Sequence, residues 1–179
     1  MIAGRKPPTA KREQRGSRLD CVVVHEAGQW EACGPIEPMV TAVATAIAKH
    51  VELPAARTDA VVVLSSDLEV MALNKEWRQQ DKPTNVLSFP SPPQPGPAPA
   101  GMDAPIGHFI GDIVLAEETI AREAAELDIP LSHHVTHLVL HGLLHLLGMD
   151  HETAAEAAAM EGLETGILAA LGVPDPYAD

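Results

Sequence analysis

A chain of 179 residues that is 46% hydrophobic and 21% charged has ordinary globular composition and the length to bury the core of one domain. That excludes collagen-like, fully disordered and disulfide-scaffold readings, and no apolar run approaches the ~18 residues of a membrane-spanning helix. The net charge of −13 is unevenly spread: residues 1–18 carry six basic side chains against Glu13 alone, a balance of +5 that leaves −18 for the remainder.

An acidic body is not the basic surface of a typical nucleic-acid binder, so a role on RNA must rest on a local site, a metal or the tail. The tail has no apolar segment and no amphipathic stripe, and it reads as a disordered extension rather than a targeting signal. Cys21 and Cys33 are too few for a disulfide framework and too far apart for a CxxC metal clip. Both are expected to be buried thiols of a protein in a reducing compartment, the cytoplasm.

In chain order, Cys21–His25 is a β-branched run that predicts a strand, with Gly28 as breaker. Val40, Val43, Ala44 and Ile47 fall at helical spacing and predict a helix over Glu37–Val51. Ala60–Leu64 reads as a second strand. Ser66 or Asp67 then caps a helix carrying Leu68, Met71 and Leu73 to Trp77. Val86–Phe89 predicts a third strand. Residues 90–105 hold seven prolines and read as a surface loop. Gly107–Leu115 predicts a fourth strand, and Glu117–Leu127 a helix stopped by Asp128 and Pro130. Ser132 is the expected N-cap of a long apolar helix ending at Gly148, where a left-handed turn is expected. A last helix runs from about Glu152 to Leu171 and stops at Gly172-Val173-Pro174. No internal repeat is visible. The expected architecture is α+β: a basic tail over 1–18, then one domain over 19–179 with a small mixed sheet of about four strands and about five helices.

The chemistry concentrates in His141-Gly-Leu-Leu-His145-Leu-Leu-Gly148-Met-Asp-His151. His141 and His145, four apart on a helix, leave one face a turn apart, a geometry in which two nitrogens reach one metal at about 2.0–2.1 Å. The turn at Gly148 lets His151 close a third corner, with a fourth position open, at the C-terminal end of the long helix. Three neutral nitrogens and an open position form a catalytic rather than a structural zinc pattern. His134 and His137 share the same helix face. His134 lies about 10 Å up the axis from His141, too far to share an ion, whereas His137 either competes as a ligand, supports one from behind or lines a substrate groove. Asp150 and Glu152 are open to three roles: orienting an imidazole, accepting a proton, or starting the last helix. The spacing H-x-x-x-H-x-x-G-x-x-H is also that of metzincin proteases, but their general-base glutamate is replaced by Gly142, which argues against proteolysis.

Read as H-G-x-L-H-L-x-G-x-D-H, this string resembles the signature of the YbeY family of bacterial metal-dependent endoribonucleases, which act in rRNA maturation and ribosome quality control. Leu73-Asn74-x-x-Trp77-Arg78 followed by Asp81-Lys82-Pro83-Thr84-Asn85-Val86-Leu87-Ser88-Phe89-Pro90 resembles a second block of that family. Gly111-Asp112-Ile113 resembles a third, and Ala170-Leu171-Gly172 with Asp175-Pro176-Tyr177 its C-terminal end. The resemblance spans roughly Val61 to Tyr177. It departs at Met149, where the family usually has tyrosine.

The resemblance implies that His141, His145 and His151 bind one Zn²⁺ per chain and that Arg78 is the catalytic arginine, so Arg78 and His141 are the residues expected to carry cleavage. Lys75, Arg78 and Lys82 are half of the body's six basic residues and mark where an RNA backbone is expected, with Thr84 and Asn85 adding neutral hydrogen bonds. The expected function is a zinc-dependent, single-strand-preferring endoribonuclease trimming rRNA precursors on or near the small ribosomal subunit or its proteins, with no membrane partner. Two other classes fit the same residues: a peptidase-like metallohydrolase using Asp150 or Glu152 as base, and a non-enzymatic ribosome assembly factor with a structural zinc.

Overall fold

β-Branched and alternating apolar runs become four strands and the 3.6-residue patterns five α-helices in a computed structural model that describes residues 16–92 and 107–178. The elements are β1 (Arg18–His25), α1 (Ile36–His50), β2 (Arg57–Ser65), α2 (Asp67–Arg78), β3 (Val86–Pro90), β4 (His108–Ala116), α3 (Glu117–Glu126), α4 (Leu131–Leu146) and α5 (Ala154–Ala170). A short 3₁₀ turn over Trp30–Cys33 precedes α1 and was not anticipated from the sequence. Most of the expected basic tail (1–15) and most of the proline-rich segment (93–106) lie outside the described residues. Arg18, assigned by composition to the tail, instead opens β1, with its N–H donating to Ala56 O at 3.0 Å and its guanidinium against Asp20 at 3.0 Å.

The fold is a single mixed α+β domain. Its sheet has the order β1-β2-β4-β3, with β1 and β4 parallel to β2 and β3 antiparallel to β4. Alternation sorts the strands into two faces. Leu19, Ala60, Val62, Leu64, Ile113 and Leu115 face α1, α4 and α5 across the main core. On the other face Val70 of α2 packs on Leu87, Val114 and Ala116, and Val22 and Val24 at the β1 edge stay exposed. The helix α2 lies where the sequence placed it, with Ser66 as its N-cap; Val70 and Asn74 are its buried residues, whereas Leu68 is 67% exposed. The helix buries the stripe set by the sheet beneath it, and Leu68 falls outside that stripe. Cys33 is buried, but Cys21 is only partly so; burial first, then the charges of Asp20 and Asp59, push its thiol up to about 12.

α4 is the central element, buried over most of its surface between the sheet, α1, α3 and α5. Its N-cap is Pro130, not Ser132; Ser132 lies inside the first turn, where its carbonyl accepts from Thr136 Oγ1 at 2.6 Å. Two glycines allow the close packing that positions the histidines. A Cβ on Gly142 would stand 2.9 Å from Ile113 Cγ2, so the absent side chain lets α4 lie directly on β4. Gly111, at φ +135°, passes where a Cβ would meet Phe89 O, beside the bulge that shifts the β2–β4 register.

Candidate metal centre and its cleft

α4 ends in a six-to-one and five-to-two hydrogen-bond pair: Met149 N donates to Leu144 O at 3.0 Å and Gly148 N to His145 O at 2.9 Å. Gly148 takes φ +86°, as that cap requires. The same turn aims Met149 O back at the helix, where it accepts from His145 Nδ1–H at 2.9 Å, and carries His151 over the helix end. Met149 therefore contributes a backbone carbonyl, which its side-chain identity leaves unchanged.

His141 Nδ1 stands 2.8 Å from Glu164 Oε1. Burial acts to raise the Glu164 carboxyl, but His137 at 3.7 Å and the hydrogen bonds from His141 and Tyr177 outweigh it and hold the group at about 2. Glu164 is therefore a carboxylate that can only accept, and His141 must donate from Nδ1. With both Nδ1 hydrogens committed, the Nε2 atoms of His141 and His145 present bare lone pairs to each other at 3.0 Å. Two lone pairs at that separation repel unless a proton or a cation lies between them. Burial, followed by the neighbouring His141, lowers the pKa of His145 and disfavours the proton. His151 completes a group of three ring nitrogens within 4.8 Å of one another, two half-buried and one exposed. This donor set fits a borderline-soft divalent cation with an open position toward solvent.

The three histidines open onto a cleft of about 580 Å³ that is also lined by Arg78, Asn85, Ser88, Met149 and Asp150. Arg78, in the last turn of α2, thus shares the cleft with the histidines. Lys75 is tied to Asp81 at 2.9 Å, and Lys82 is exposed, with its carbonyl accepting from Asn74 Nδ2 at 2.7 Å. Asn85 is partly engaged: its Nδ2 donates to Glu123 at 3.0 Å and its Oδ1 accepts from Val86 N at 2.7 Å. Asp150 Oδ1 accepts from His151 N at 2.8 Å, which orients the loop bearing the third histidine. Thr84 and Glu152 do not line the cleft. His134 is buried against Glu123 at 2.8 Å, and His137 sits beside Glu164 and Tyr177 behind His141. Gly142 faces Ile113 of the sheet, so a glutamate there has no path to the cleft while α4 stays packed.

Glu164 was missed at the sequence level, and Tyr177 was named only as part of the C-terminal block, with no role given to it. A glutamate in the middle of an Ala- and Glu-rich helix reads as solvated, and only the packing of α5 on α4 reveals it.

A family model described as Endoribonuclease YbeY matches residues 30–172. The chain belongs to the YbeY family. The match begins well before the sequence-level resemblance at Val61 and includes β2, the whole of α4 and Glu164. Among curated YbeY relatives, that of Allorhizobium ampelinum is 47% identical over 171 residues, covering 90% of this chain and 96% of its own, and that of Rhizobium meliloti is 47% identical over 168 residues with the same coverages. A Rhodopseudomonas palustris relative is 49% identical over 150 residues, or 84% of this chain and 85% of its own. Each bears the name Endoribonuclease YbeY. The fold is similar to the solution structure of a Thermotoga maritima protein, with a TM-score of 0.51 and 22% identity over 90% of this chain and 99% of that one.

Proposed function

We propose that the protein is a zinc-dependent endoribonuclease that cuts single-stranded stretches of rRNA precursors in the maturation and quality control of the small ribosomal subunit, with residues 19–179 as its catalytic domain. Family membership supports RNA as substrate and endonucleolytic hydrolysis as reaction. The observation that carries the metal dependence is the convergence of His141, His145 and His151 on one point, with two bare Nε2 atoms 3.0 Å apart.

In this reading His141, His145 and His151 hold one Zn²⁺, which when bound supplies a Lewis acid and lowers the pKa of water toward neutrality. The chain's own residues do the rest. Arg78 offers a planar, permanently charged fork to two phosphate oxygens and stabilises the charge that develops as the phosphodiester is attacked. Met149 O and Glu164 keep two imidazoles turned toward the metal. The cleft of about 580 Å³ beside the histidines is where the reading places one extended strand. The acidic body and the few basic side chains near the cleft give little affinity for free RNA, so delivery by the small subunit or its proteins is part of the proposal. Action in the cytoplasm is part of the proposal; among the described residues no helix is long and apolar enough to cross a membrane.

The test is cleavage of an unstructured RNA by protein stripped with chelator and resupplied with zinc, alongside Arg78→Glu and His141→Ala. The expected outcome is activity lost on chelation, restored by zinc, and lowered about 10²-fold or more in each variant. Variants that cut as fast as the parent would overturn it.

A further inference from the structure

Glu164 is fully buried, yet both of its oxygens receive hydrogens, from His141 and from Tyr177. Its Oε1 accepts from His141 Nδ1–H at 2.8 Å and its Oε2 from the Tyr177 hydroxyl, with His137 Nε2 3.7 Å away. Burying a carboxylate is costly unless it is paired and hydrogen-bonded. These partners are long-range, because α5 crosses α4 and the chain then doubles back. That return is built locally. Gly172 at φ +76° ends α5, Val173 N donates to Leu168 O at 2.9 Å, and Asp175 Oδ1 accepts from Thr165 Oγ1 at 3.1 Å and Tyr177 N at 3.0 Å. The C-terminal segment is thereby anchored where its one phenol reaches the carboxylate. The edge of the Tyr177 ring also meets His137, with ring centroids 5.7 Å apart.

We infer that Glu164 is a positioning residue for the metal centre: its carboxylate locks His141 in the Nδ1–H tautomer, with Nε2 aimed at the shared point, and Tyr177 holds that carboxylate in place. The inference rests on the reading of His141, His145 and His151 as metal ligands. A carboxylate on the far nitrogen makes an imidazole a better ligand and fixes its ring plane. The two helical ligands are served differently: His145 donates to a neutral carbonyl and His141 to a charged group, so His141 is the stronger donor of the pair. His137, His141 and Glu164 also bring donor atoms within 4.8 Å of one another. A cation there would have to displace the His141 Nδ1 hydrogen that Glu164 accepts, and the arrangement is satisfied by hydrogens as it stands.

The test combines zinc affinity, from competition with a chromogenic chelator, and the tautomer of His141 in metal-free protein, from long-range ¹H–¹⁵N spectra at mildly alkaline pH. Glu164→Gln keeps the shape and an acceptor oxygen but removes the charge. It is expected to bind zinc about 10–100-fold more weakly, and His141 is expected to pass from the Nδ1–H form of the parent to a mixture. Tyr177→Phe keeps the ring and is expected to weaken zinc binding in the same direction by a smaller factor. Unchanged affinity in both variants, or a His141 that carries its hydrogen on Nε2 in the parent, overturns the inference. So does loss of a second bound zinc in Glu164→Gln, which would make Glu164 a ligand. If Glu164→Gln does not fold, Tyr177→Phe decides alone. If the parent binds no zinc, the functional reading fails separately, and the tautomer spectra still decide the role of Glu164.

Discussion

Gly142 and Glu164 show how single residues set the geometry of this site. At position 142 a methyl group would meet Ile113 Cγ2 at 2.9 Å, and both neighbouring elements are fully buried there. Alanine gains about 1 kcal/mol of helix propensity over glycine, but overpacking a tight core costs about 1–3 kcal/mol. Gly142→Ala is therefore expected to lose about 1 kcal/mol in urea unfolding, and a stabilised variant would show that α4 has room to rise. Glu164 makes a second prediction through pH. Its carboxyl is held at about 2 against an ordinary 4.5, so the stability it contributes is fully present above pH 4.5 and lost as pH falls through 2. In metal-free protein the loss is on the order of 3 kcal/mol. Glu164→Gln should flatten the acid limb of the stability curve in that window, and a limb parallel to the parent's would contradict the assignment. The histidines were legible in the sequence because i, i+4 spacing on a helix fixes a shared face and Gly148 announces the turn. Glu164 was not, because its meaning depends on which face of α5 the tertiary fold buries.

The elements tell a similar story at larger spacing. Four strands and five helices were readable from alternation, β-branching and 3.6-residue periodicity, and the mixed sheet was expected from their order. What the pattern could not decide was phase and capping. Leu68 fits a helical stripe on paper, but the sheet beneath α2 selects Val70 and Asn74. Ser132 has the chemistry of an N-cap, yet Pro130 takes that position because its fixed φ suits the chain's entry into α4. The start of α5 is better built than the sequence reading supposed. Thr153 Oγ1 accepts from Glu156 N at 3.2 Å while Glu156 Oε2 accepts from Thr153 N at 2.9 Å, a reciprocal capping box placed just after His151. Thr153→Ala is expected to cost about 1 kcal/mol and to lower the melting temperature by about 2–4 °C. Calorimetry showing no change would mean that α5 is held by its packing on α4 alone.

For the whole molecule, the main core runs through α1, α4, α5 and the sheet, and the three convergent histidines, two half-buried and one exposed, lie at its rim. The metal-free chain should therefore keep a cooperative unfolding transition, with zinc raising the melting temperature only by mass action. Collapse of the fold on chelation would instead favour a structural ion. The uneven charge belongs to this scale too. With −18 on residues 19–179, the proposed reading has RNA met at a local site around Arg78 and the histidines rather than on a broad basic surface. All of this depends on three rings sharing one ion. The most direct measurement is metal content of the purified, zinc-reconstituted protein by elemental analysis, set beside His151→Ala. One tightly held zinc per chain in the parent, lost or exchanging freely in the variant, is the expected result. A parent without stoichiometric metal, or a variant that retains it as firmly, would contradict a centre built on His141, His145 and His151.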